Sequence, residues 1–568
     1  MAWRIHAPDM LYLPRPQLRL SIVSAAIPLV FYFVVTQLNG VATSRAMYVV
    51  EFAILAYLSA VFRLFQRSQT LAVVPFIAAA CGVYAAAVQK YALLGIWVRY
   101  GDVYLLGEAW KVLSQGEHLA VAATVIVVIS LGVYNFRLPH RREIVRFMIP
   151  AVLCLTLSYL FPGQAAGLLL GATHARFGND PLYRGPLFAV GLDVIETWRF
   201  ERESDRWLAR FPDHSAPFPS GAGTYRKRNV HIFVMESFMD PSLLGVPLSQ
   251  DPIDPRLRAL VGGSSLSPVF GGRSAQPEFE ILCGTPVYDY LNPVTFNDLH
   301  GEPLPCLPNL LREYGYETAA SQDVPPNFFN AQVAYRSVGI THAHYQADMP
   351  KTDMDGIWVS AEQQIEFNKR LIGPWLKSGQ PFLNYVFFNS GHIPYEMNPA
   401  RRPPVIKTAS SAEVTRFVNA IYYNSRALAD YLDFLATADP SSVIVMVGDH
   451  QGVLSSIGRT KEGADNLDRY RTPYVFIDAG EVRHFGDIAH YQIPGLILAG
   501  LTGRPTPRAP IEGVDTIRPF KDQVFYEREG EILSCPNPGD RLCLAVQVYH
   551  DQTVADWLRL IRQSQARN

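Results

Sequence analysis

The chain has no excess of charge of either sign. Its 568 residues include 50 Lys and Arg against 51 Asp and Glu, so the formal net charge is −1 at pH 7. Proteins that bind nucleic acid through its phosphates carry a basic surface and gain affinity from released counterions. The balanced charge therefore argues against nucleic acid as a partner.

Cysteine is scarce, and no two cysteines have the C-x-x-C spacing, which argues against a thiolate zinc site. Cys81 and Cys154 lie in apolar runs, where a cysteine behaves as a small core residue. The other four form two near pairs, a spacing that predicts two disulfides in an oxidising compartment. These pairs are Cys283 with Cys306 and Cys535 with Cys543.

Long apolar runs are almost absent after residue 172, whereas five occur before it. A helix needs about 20 apolar residues to cross a bilayer core of about 30 Å. The five runs therefore predict five transmembrane helices, the first of which lacks the cleavage site of a signal peptide. The predicted spans are 20–38, 47–65, 71–94, 118–136 and 147–170.

Arginine is concentrated before the first span, after the second, and between the fourth and fifth. Because positive residues stay on the cytoplasmic side, these three segments are predicted to face the cytoplasm. Five spans then place everything after residue 170 outside. We expect a multi-pass membrane protein whose C-terminal part lies outside the cytoplasm. The arginines are Arg4, Arg15, Arg19, Arg63, Arg67, Arg137, Arg141, Arg142 and Arg146.

The C-terminal half alternates short apolar runs with helical stretches. Continuous apolarity is typical of strands in a mainly parallel sheet that helices cover on both faces, which indicates an α/β fold. The four predicted strands are 230–236, 381–389, 442–449 and 473–479.

The changes in composition predict three parts in the chain. Residues 1–170 form a transmembrane domain, and residues 171–227 form a proline-rich linker that includes an interfacial helix. Residues 228–568 form the extracytoplasmic α/β domain.

Polar side chains follow three of the predicted strands where each strand ends. Glu236 follows the first strand, His392 lies just after the second, and Asp449 and His450 follow the third. The carboxyl ends of parallel strands meet at one edge of a sheet, where ligands bind. Two carboxylates and an imidazole are ligands that a zinc or manganese ion accepts, so this edge is predicted to hold a metal ion.

A glycine-rich turn offers a nucleophile. Gly271 and Gly272 permit a tight loop, Ser274 follows, and Pro277 lies in the first turn of a predicted helix whose early residues include Glu278. A serine there meets free backbone N–H groups and the positive end of the helix dipole, an environment that favours phosphate. The alternative is that Ser274 only caps the helix.

Together these motifs resemble the alkaline phosphatase/sulfatase superfamily, and within it the membrane-anchored lipoteichoic acid synthase and phosphoglycerol transferase branch. The resemblance covers roughly residues 228–503. VMESF resembles the first metal-binding strand of that branch, GGRSAQPEFE its nucleophile loop and GDHQG its Asp-His metal pair. NSGHIPY resembles the segment with the phosphate-contacting histidine, which implies that role for His392. The implied metal ligands are Glu236, Ser274, Asp449 and His450.

Two departures bear on the substrate. The segment NFFNAQ carries Phe329 and Ala331 where the Gram-positive synthases tend to have a Trp and a headgroup-binding Arg. The Cys-Gly-x-Pro at 283–286 is closer to the phosphoglycerol transferases that decorate periplasmic glucans. Headgroup recognition therefore does not carry over from the synthases.

The resemblance implies an enzyme that moves a phospholipid headgroup to a cell-envelope glycan or glycolipid through a phosphoseryl intermediate on Ser274. The implied donor is phosphatidylglycerol, and the implied cofactor is one divalent ion, Mn²⁺ or Zn²⁺. Two alternatives stay open: a phosphoethanolamine transferase acting on lipid A or a polysaccharide, and a sulfatase or phosphodiesterase. The complete set of metal-binding residues argues against a non-enzymatic membrane scaffold.

Overall fold

The computed structural model describes most of the chain in two compact units, Met1–Glu203 and Ser204–Asn568. The predicted bounds of the transmembrane, linker and α/β parts remain a prediction. The described residues are 15–39, 41, 45–94, 97–107, 110, 115–140, 145, 149–165, 168, 185–211, 227–288, 294–454, 467–503, 511, 513–514, 516–520, 523–528, 531–534 and 541–565.

Among the described residues, the first unit consists mainly of helices, and three of these are long and apolar enough to cross a membrane. The predicted count of about five is not confirmed, because the apolar stretches His118–Tyr134 and Ala151–Leu160 are shorter within the described residues. The helices are α1 (Arg15–Leu38), α2 (Arg45–Leu64), α3 (Val73–Leu94), α4 (Gln115–Tyr134), α5 (Ile149–Leu160) and α6 (Pro186–Arg210), of which α6 extends into the second unit.

The loops that follow α2 and α4 lie against each other. Arg67 N–H donates to the Asn135 carbonyl at 2.6 Å, and Arg137 N–H donates to the Phe65 carbonyl at 2.8 Å. The carboxyl ends of α2 and α4 therefore lie at the same end of the helix group. This agrees with the arginine distribution, which assigned both loops to one side of the membrane.

A nine-stranded mixed sheet forms the centre of the second unit, in the order β11-β2-β9-β8-β1-β7-β3-β4, with β10 paired to β9. All four predicted strands are present, as β1, β7, β8 and β9. The sheet is mainly parallel, as predicted, and β9 is an exception that runs antiparallel to β8 and β2. The strands are β1 (Val230–Met235), β2 (Val261–Leu266), β3 (Glu317–Gln322), β4 (His342–His344), β7 (Phe382–Phe388), β8 (Val443–Gly448), β9 (Arg471–Asp478), β10 (Glu481–Val482) and β11 (Ile488–Ala489).

Helices cover both faces of this sheet, as expected for an α/β fold. Phe382 and Val386 of β7 pack into a core with residues of α11 and α12, whereas Tyr385 contacts α8 on the opposite face. The alternation follows from the two-residue period of a strand. These helices are α7 (Pro255–Leu260), α8 (Ala275–Cys283), α9 (Leu307–Glu313), α10 (Ala331–Val338), α11 (Ala361–Ser378), α12 (Ala412–Ala438) and α13 (Ile493–Thr502).

Smaller elements complete the second unit. A hairpin, β5 (Met354–Asp355) and β6 (Trp358–Val359), precedes α11. An antiparallel sheet and a long helix end the chain, as β12 (Thr516–Phe520), β13 (Gln523–Arg528), β14 (Glu531–Ser534) and α14 (Arg541–Gln565).

The cysteines give different outcomes for the two predicted disulfides. Cys283 and Cys306 are bonded, which confirms the first pair and ties the end of α8 to the residue preceding α9. Cys543 is a buried free thiol, so the second pair is not confirmed. Its predicted partner, Cys535, lies outside the described residues.

Candidate active site

The carboxyl ends of adjacent strands bring the predicted metal ligands together. β1 and β8 are parallel neighbours, with Met235 level with Gly448. Glu236 and Asp449 are the next residues in these two segments, so they leave the sheet side by side. Asp449 N–H donates to the Met235 carbonyl at 3.0 Å, which extends the pairing beyond the strand ends.

Glu236, Asp449 and His450 form a buried cluster whose ligand atoms all lie within 4.8 Å of one another. His450 Nε2 is 3.1 Å from Asp449 Oδ2 and 3.8 Å from Glu236 Oε1. The exposed fraction of each residue is at most 5%. The structure thus brings these three residues together, while their binding of a metal stays a prediction.

The donor atoms of this cluster fit a divalent cation. Asp449 Oδ1 accepts from the N–H groups of Ser237 at 2.8 Å and His450 at 2.7 Å, but Asp449 Oδ2 is buried and has no hydrogen-bond partner in the part of the chain that the structure describes. Burial, and then the charge of Asp449, raise the pKa of Glu236. His450 Nδ1 lies 3.0 Å from the Gln451 carbonyl, so Nδ1 carries the proton and leaves Nε2 as the ligand atom. A bound cation would satisfy these groups together.

Ser274 faces the cluster and does not cap the helix that follows it. The residue directly precedes α8, yet its side chain makes no capping hydrogen bond. Its Oγ lies 3.4 Å from Glu236 Oε2 and 3.4 Å from His450 Nε2. The capping alternative is therefore wrong for this side chain, and its role as nucleophile stays a prediction.

Three consecutive residues in the left-handed region present Ser274 to the cluster. The angle φ is 64° at Gly271, 67° at Gly272 and 60° at Arg273. Glycine adopts this conformation without steric cost, which explains why two glycines precede the serine. Arg273 has a side chain, so its backbone is strained by about 1 to 3 kcal/mol, and strain of this kind clusters at active sites.

Buried phenols hold α8 in place. Glu278 accepts hydrogen bonds from Tyr335 at 2.7 Å and Tyr385 at 3.0 Å. Burial raises the pKa of Glu278 to about 8. Its place in the first turn predicts that Glu278 interacts with the positive end of the helix dipole. In the structure its carboxylate is buried and contacts the hydroxyl groups of the two tyrosines. Tyr335 and Tyr385 carry no signal in the sequence, because both are distant from Ser274 along the chain.

His392 lies beyond the end of β7 and is half-buried. Its Nδ1 is 2.7 Å from the Ile393 carbonyl, and its ring centroid is 5.0 Å from that of Trp358. Burial lowers the pKa of His392, while the charge of Asp449 acts in the opposite direction. The phosphate-contacting role of His392 stays a prediction.

His490 supports the end of β8, which leads into the predicted ligands Asp449 and His450, and sequence reasoning missed it. The side chain is fully buried, and its Nε2 lies 3.0 Å from the Gly448 carbonyl and 3.2 Å from the Asp449 carbonyl. Its Nδ1 lies 2.7 Å from Ser265 Oγ. The imidazole thus braces the main chain that carries two predicted ligands. An isolated histidine before a helix offers no signal of such a contact.

Comparison with known proteins confirms the resemblance, since residues 228–493 match the family model described as Sulfatase. The chain is 29% identical over 248 residues to the putative cyclic beta-1,2-glucan modification protein of Rhizobium meliloti (strain 1021), covering 42% of this chain and 38% of that protein. It is 23% identical over 256 residues to the lipoteichoic acid synthase of Staphylococcus saprophyticus, with shares of 42% and 38%. The chain thus spans less than half the length of these relatives.

Solved structures to which the chain is similar include the integral membrane protein lipooligosaccharide phosphoethanolamine transferase A (EptA) from Neisseria meningitidis. It shares 14% identity at a TM-score of 0.47, and the match covers 86% of this chain and 95% of that one. The Streptococcus pyogenes phosphoglycerol transferase GacH in complex with sn-glycerol-1-phosphate shares 15% identity at a TM-score of 0.44, with shares of 64% and 92%.

Proposed function

We propose that the protein transfers phosphoglycerol from phosphatidylglycerol to a cell-envelope glycan or glycolipid, a proposal supported by the match of residues 228–493 to the family model described as Sulfatase. The observation that carries the proposal is the position of Ser274 Oγ, 3.4 Å from both Glu236 and His450. A hydroxyl aimed at a cluster of metal ligands is arranged for attack on phosphorus, because coordination activates a weak nucleophile.

Glu236, Asp449, His450 and Ser274 would hold one divalent metal ion, which would be Mn²⁺ or Zn²⁺. When bound, such an ion lowers the pKa of a coordinated hydroxyl and neutralises charge on phosphoryl oxygens. The backbone N–H groups at the start of α8 lie beside Ser274, and they would also stabilise negative charge on the phosphoryl oxygens.

The residues of the chain account for two successive displacements at phosphorus. In the first, Ser274 Oγ gives up its proton and bonds to phosphorus as the bond between phosphorus and the diacylglycerol oxygen breaks, and that oxygen takes up a proton. In the second, the acceptor hydroxyl gives up its proton and bonds to phosphorus as the bond between phosphorus and Ser274 Oγ breaks, and Ser274 takes up a proton. His392 carries the proton in each step at Nε2, because Nδ1 donates to the Ile393 carbonyl.

Labelled donor lipids test this proposal directly. Purified full-length protein is incubated, without acceptor, with phosphatidylglycerol labelled in its terminal glycerol, and then digested for mass spectrometry. We expect a phosphoglycerol adduct on the peptide that contains Ser274, since the first displacement does not need the acceptor. A parallel incubation uses phosphatidylethanolamine labelled in its headgroup. If only this lipid labels Ser274, the donor is phosphatidylethanolamine and the proposed mechanism is unchanged. Label on another residue would contradict the proposed nucleophile.

We also propose that the catalytic part faces the periplasm of a bacterial inner membrane, supported by the arginine-rich loops and the contact between the loops after α2 and α4. A phosphatase reporter, which is active only in the periplasm, is expected to be active when fused after residue 230 and inactive when fused near residue 140. A fluorescent protein that matures only in the cytoplasm should give the reverse pattern. Phosphatase activity only in the fusion near residue 140 would show that the topology is the opposite of the one proposed.

A further inference from the structure

A buried arginine follows the His392 segment and is surrounded by carboxylates. The Arg402 side chain is 5% exposed and donates to Asp353 with both terminal nitrogens, at 2.6 and 3.0 Å. Its Nε donates to Asp355 at 2.9 Å, and Glu362 lies 3.2 Å from a terminal nitrogen. Each of the three guanidinium nitrogens thus donates to at least one carboxylate, an arrangement that fixes orientation.

Asp355 connects this arginine to the segment that carries His392. Besides Arg402, its carboxylate accepts from the Asn398 N–H at 2.8 Å, and it lies 3.2 Å from Ser390 Oγ. The exposed fraction of the Asp355 side chain is 1%. Ser390 and Asn398 stand on either side of His392 in the chain, so one carboxylate holds the segment at both ends.

The β5–β6 hairpin, which contains Asp355, also positions the indole ring of Trp358 that packs on His392. Asp355 and Trp358 are opposite each other in the β5–β6 pair. The ring centroids of Trp358 and His392 are 5.0 Å apart. Trp358 Nε1 is buried and has no hydrogen-bond partner among the described residues. The position of the indole is therefore set by packing and by the hairpin, and the hairpin is held by Arg402.

Stability alone is a weak reason to bury such a group. Desolvation offsets most of the attraction in a buried ion pair, and apolar residues of similar size often stabilise a fold equally well. A network with fixed hydrogen-bond geometry does, however, restrict orientation. The ring that this network orients is the imidazole of His392, which carries the proton in the proposed reaction.

We propose that Arg402 is a positioning residue, which acts through Asp355 and Trp358 to hold His392 Nε2 at the reacting phosphoryl group. The inference rests on the proposed function, because it needs His392 to take part in turnover. It predicts that the effect of removing Arg402 depends on the presence of His392.

The test is a double-mutant cycle, with the rate of diacylglycerol release from labelled phosphatidylglycerol as the readout. Arg402→Met is expected to lower kcat by about 100-fold, the loss typical of a misplaced catalytic group, with KM and bound metal unchanged. In the His392→Ala background the same change should have no further effect. Arg401→Met is the matched control, since Arg401 is exposed and only reaches Asp353 at 3.4 Å.

Two further variants keep the test decisive if Arg402→Met does not fold. Trp358→Leu leaves the ion network intact and should show the same dependence on His392, whereas Trp358→Phe, which retains a ring, should recover most of the rate. Equal losses in both backgrounds would overturn the positioning role. A full rate for His392→Ala would also overturn it, and would locate the failure in the proposed function of His392.

Discussion

Replacing Ser274 by alanine is expected to abolish transfer. In the proposed reaction, both displacements form or break a bond to Ser274 Oγ, and this oxygen faces Glu236 and His450 at 3.4 Å. Loss of a covalent nucleophile lowers kcat by roughly five to six orders of magnitude in well-studied enzymes. The melting temperature and secondary structure should be unchanged, because the side chain makes no capping hydrogen bond to α8.

Matched variants separate chemistry from folding at this position. Ser267→Ala removes a buried hydroxyl from the same segment, one that accepts from the Val269 N–H at 3.3 Å, and it should retain activity. Ser274→Thr keeps an attacking hydroxyl and should recover a measurable fraction of the rate. Turnover by Ser274→Ala at the wild-type rate would rule out a phosphoseryl intermediate at this residue.

Removing the metal ligands is expected to have the second largest effect. Asp449→Asn and His450→Gln should lower bound Mn²⁺ or Zn²⁺ and reduce turnover by about three orders of magnitude, which corresponds to several kcal/mol of lost charge stabilisation. Treatment of the wild type with a chelator should produce the same loss, and added metal should reverse it. Metal content is measured by inductively coupled plasma mass spectrometry.

His231 provides the matched control for His450. It is also fully buried and paired with a carboxylate, with Nε2 at 3.0 Å from Asp439 Oδ2, but it lies at the beginning of β1. His231→Gln should leave metal content unchanged, even if it lowers stability. Full metal content in Asp449→Asn and His450→Gln would show that the cluster is not the metal site.

Apolar runs located four strands of the sheet because burial on both faces leaves a continuous pattern in β1, β7, β8 and β9. The same reasoning missed β3, whose buried centre is made of small residues such as Ala319 and Ser321. A run of small residues carries no signal, because their burial depends on the helices above them. Strand direction is also set by the path of the chain, which is why β9 could not be recognised as antiparallel.

The residues that support the site could not be predicted from the sequence, because their contacts also depend on the tertiary structure. Glu236, Asp449 and His450 could be grouped from their positions after apolar runs, because parallel strands end at one edge. Tyr385, His490 and Arg402 make contacts with residues that are distant in the chain. Nothing local distinguishes a histidine that braces a strand from one that faces solvent.

The sequence by itself determined the apolar helices of the first unit, the α/β class of the second and the residue types of the site, because these follow from local patterns of burial and turn formation. Only the tertiary structure decided what Ser274 does with its hydroxyl. A serine before a helix either caps the helix or points away from it, and both conformations are locally allowed. The side chain faces Glu236 and His450 because the loop of Gly271, Gly272 and Arg273 turns it toward strand ends that lie far away in the chain.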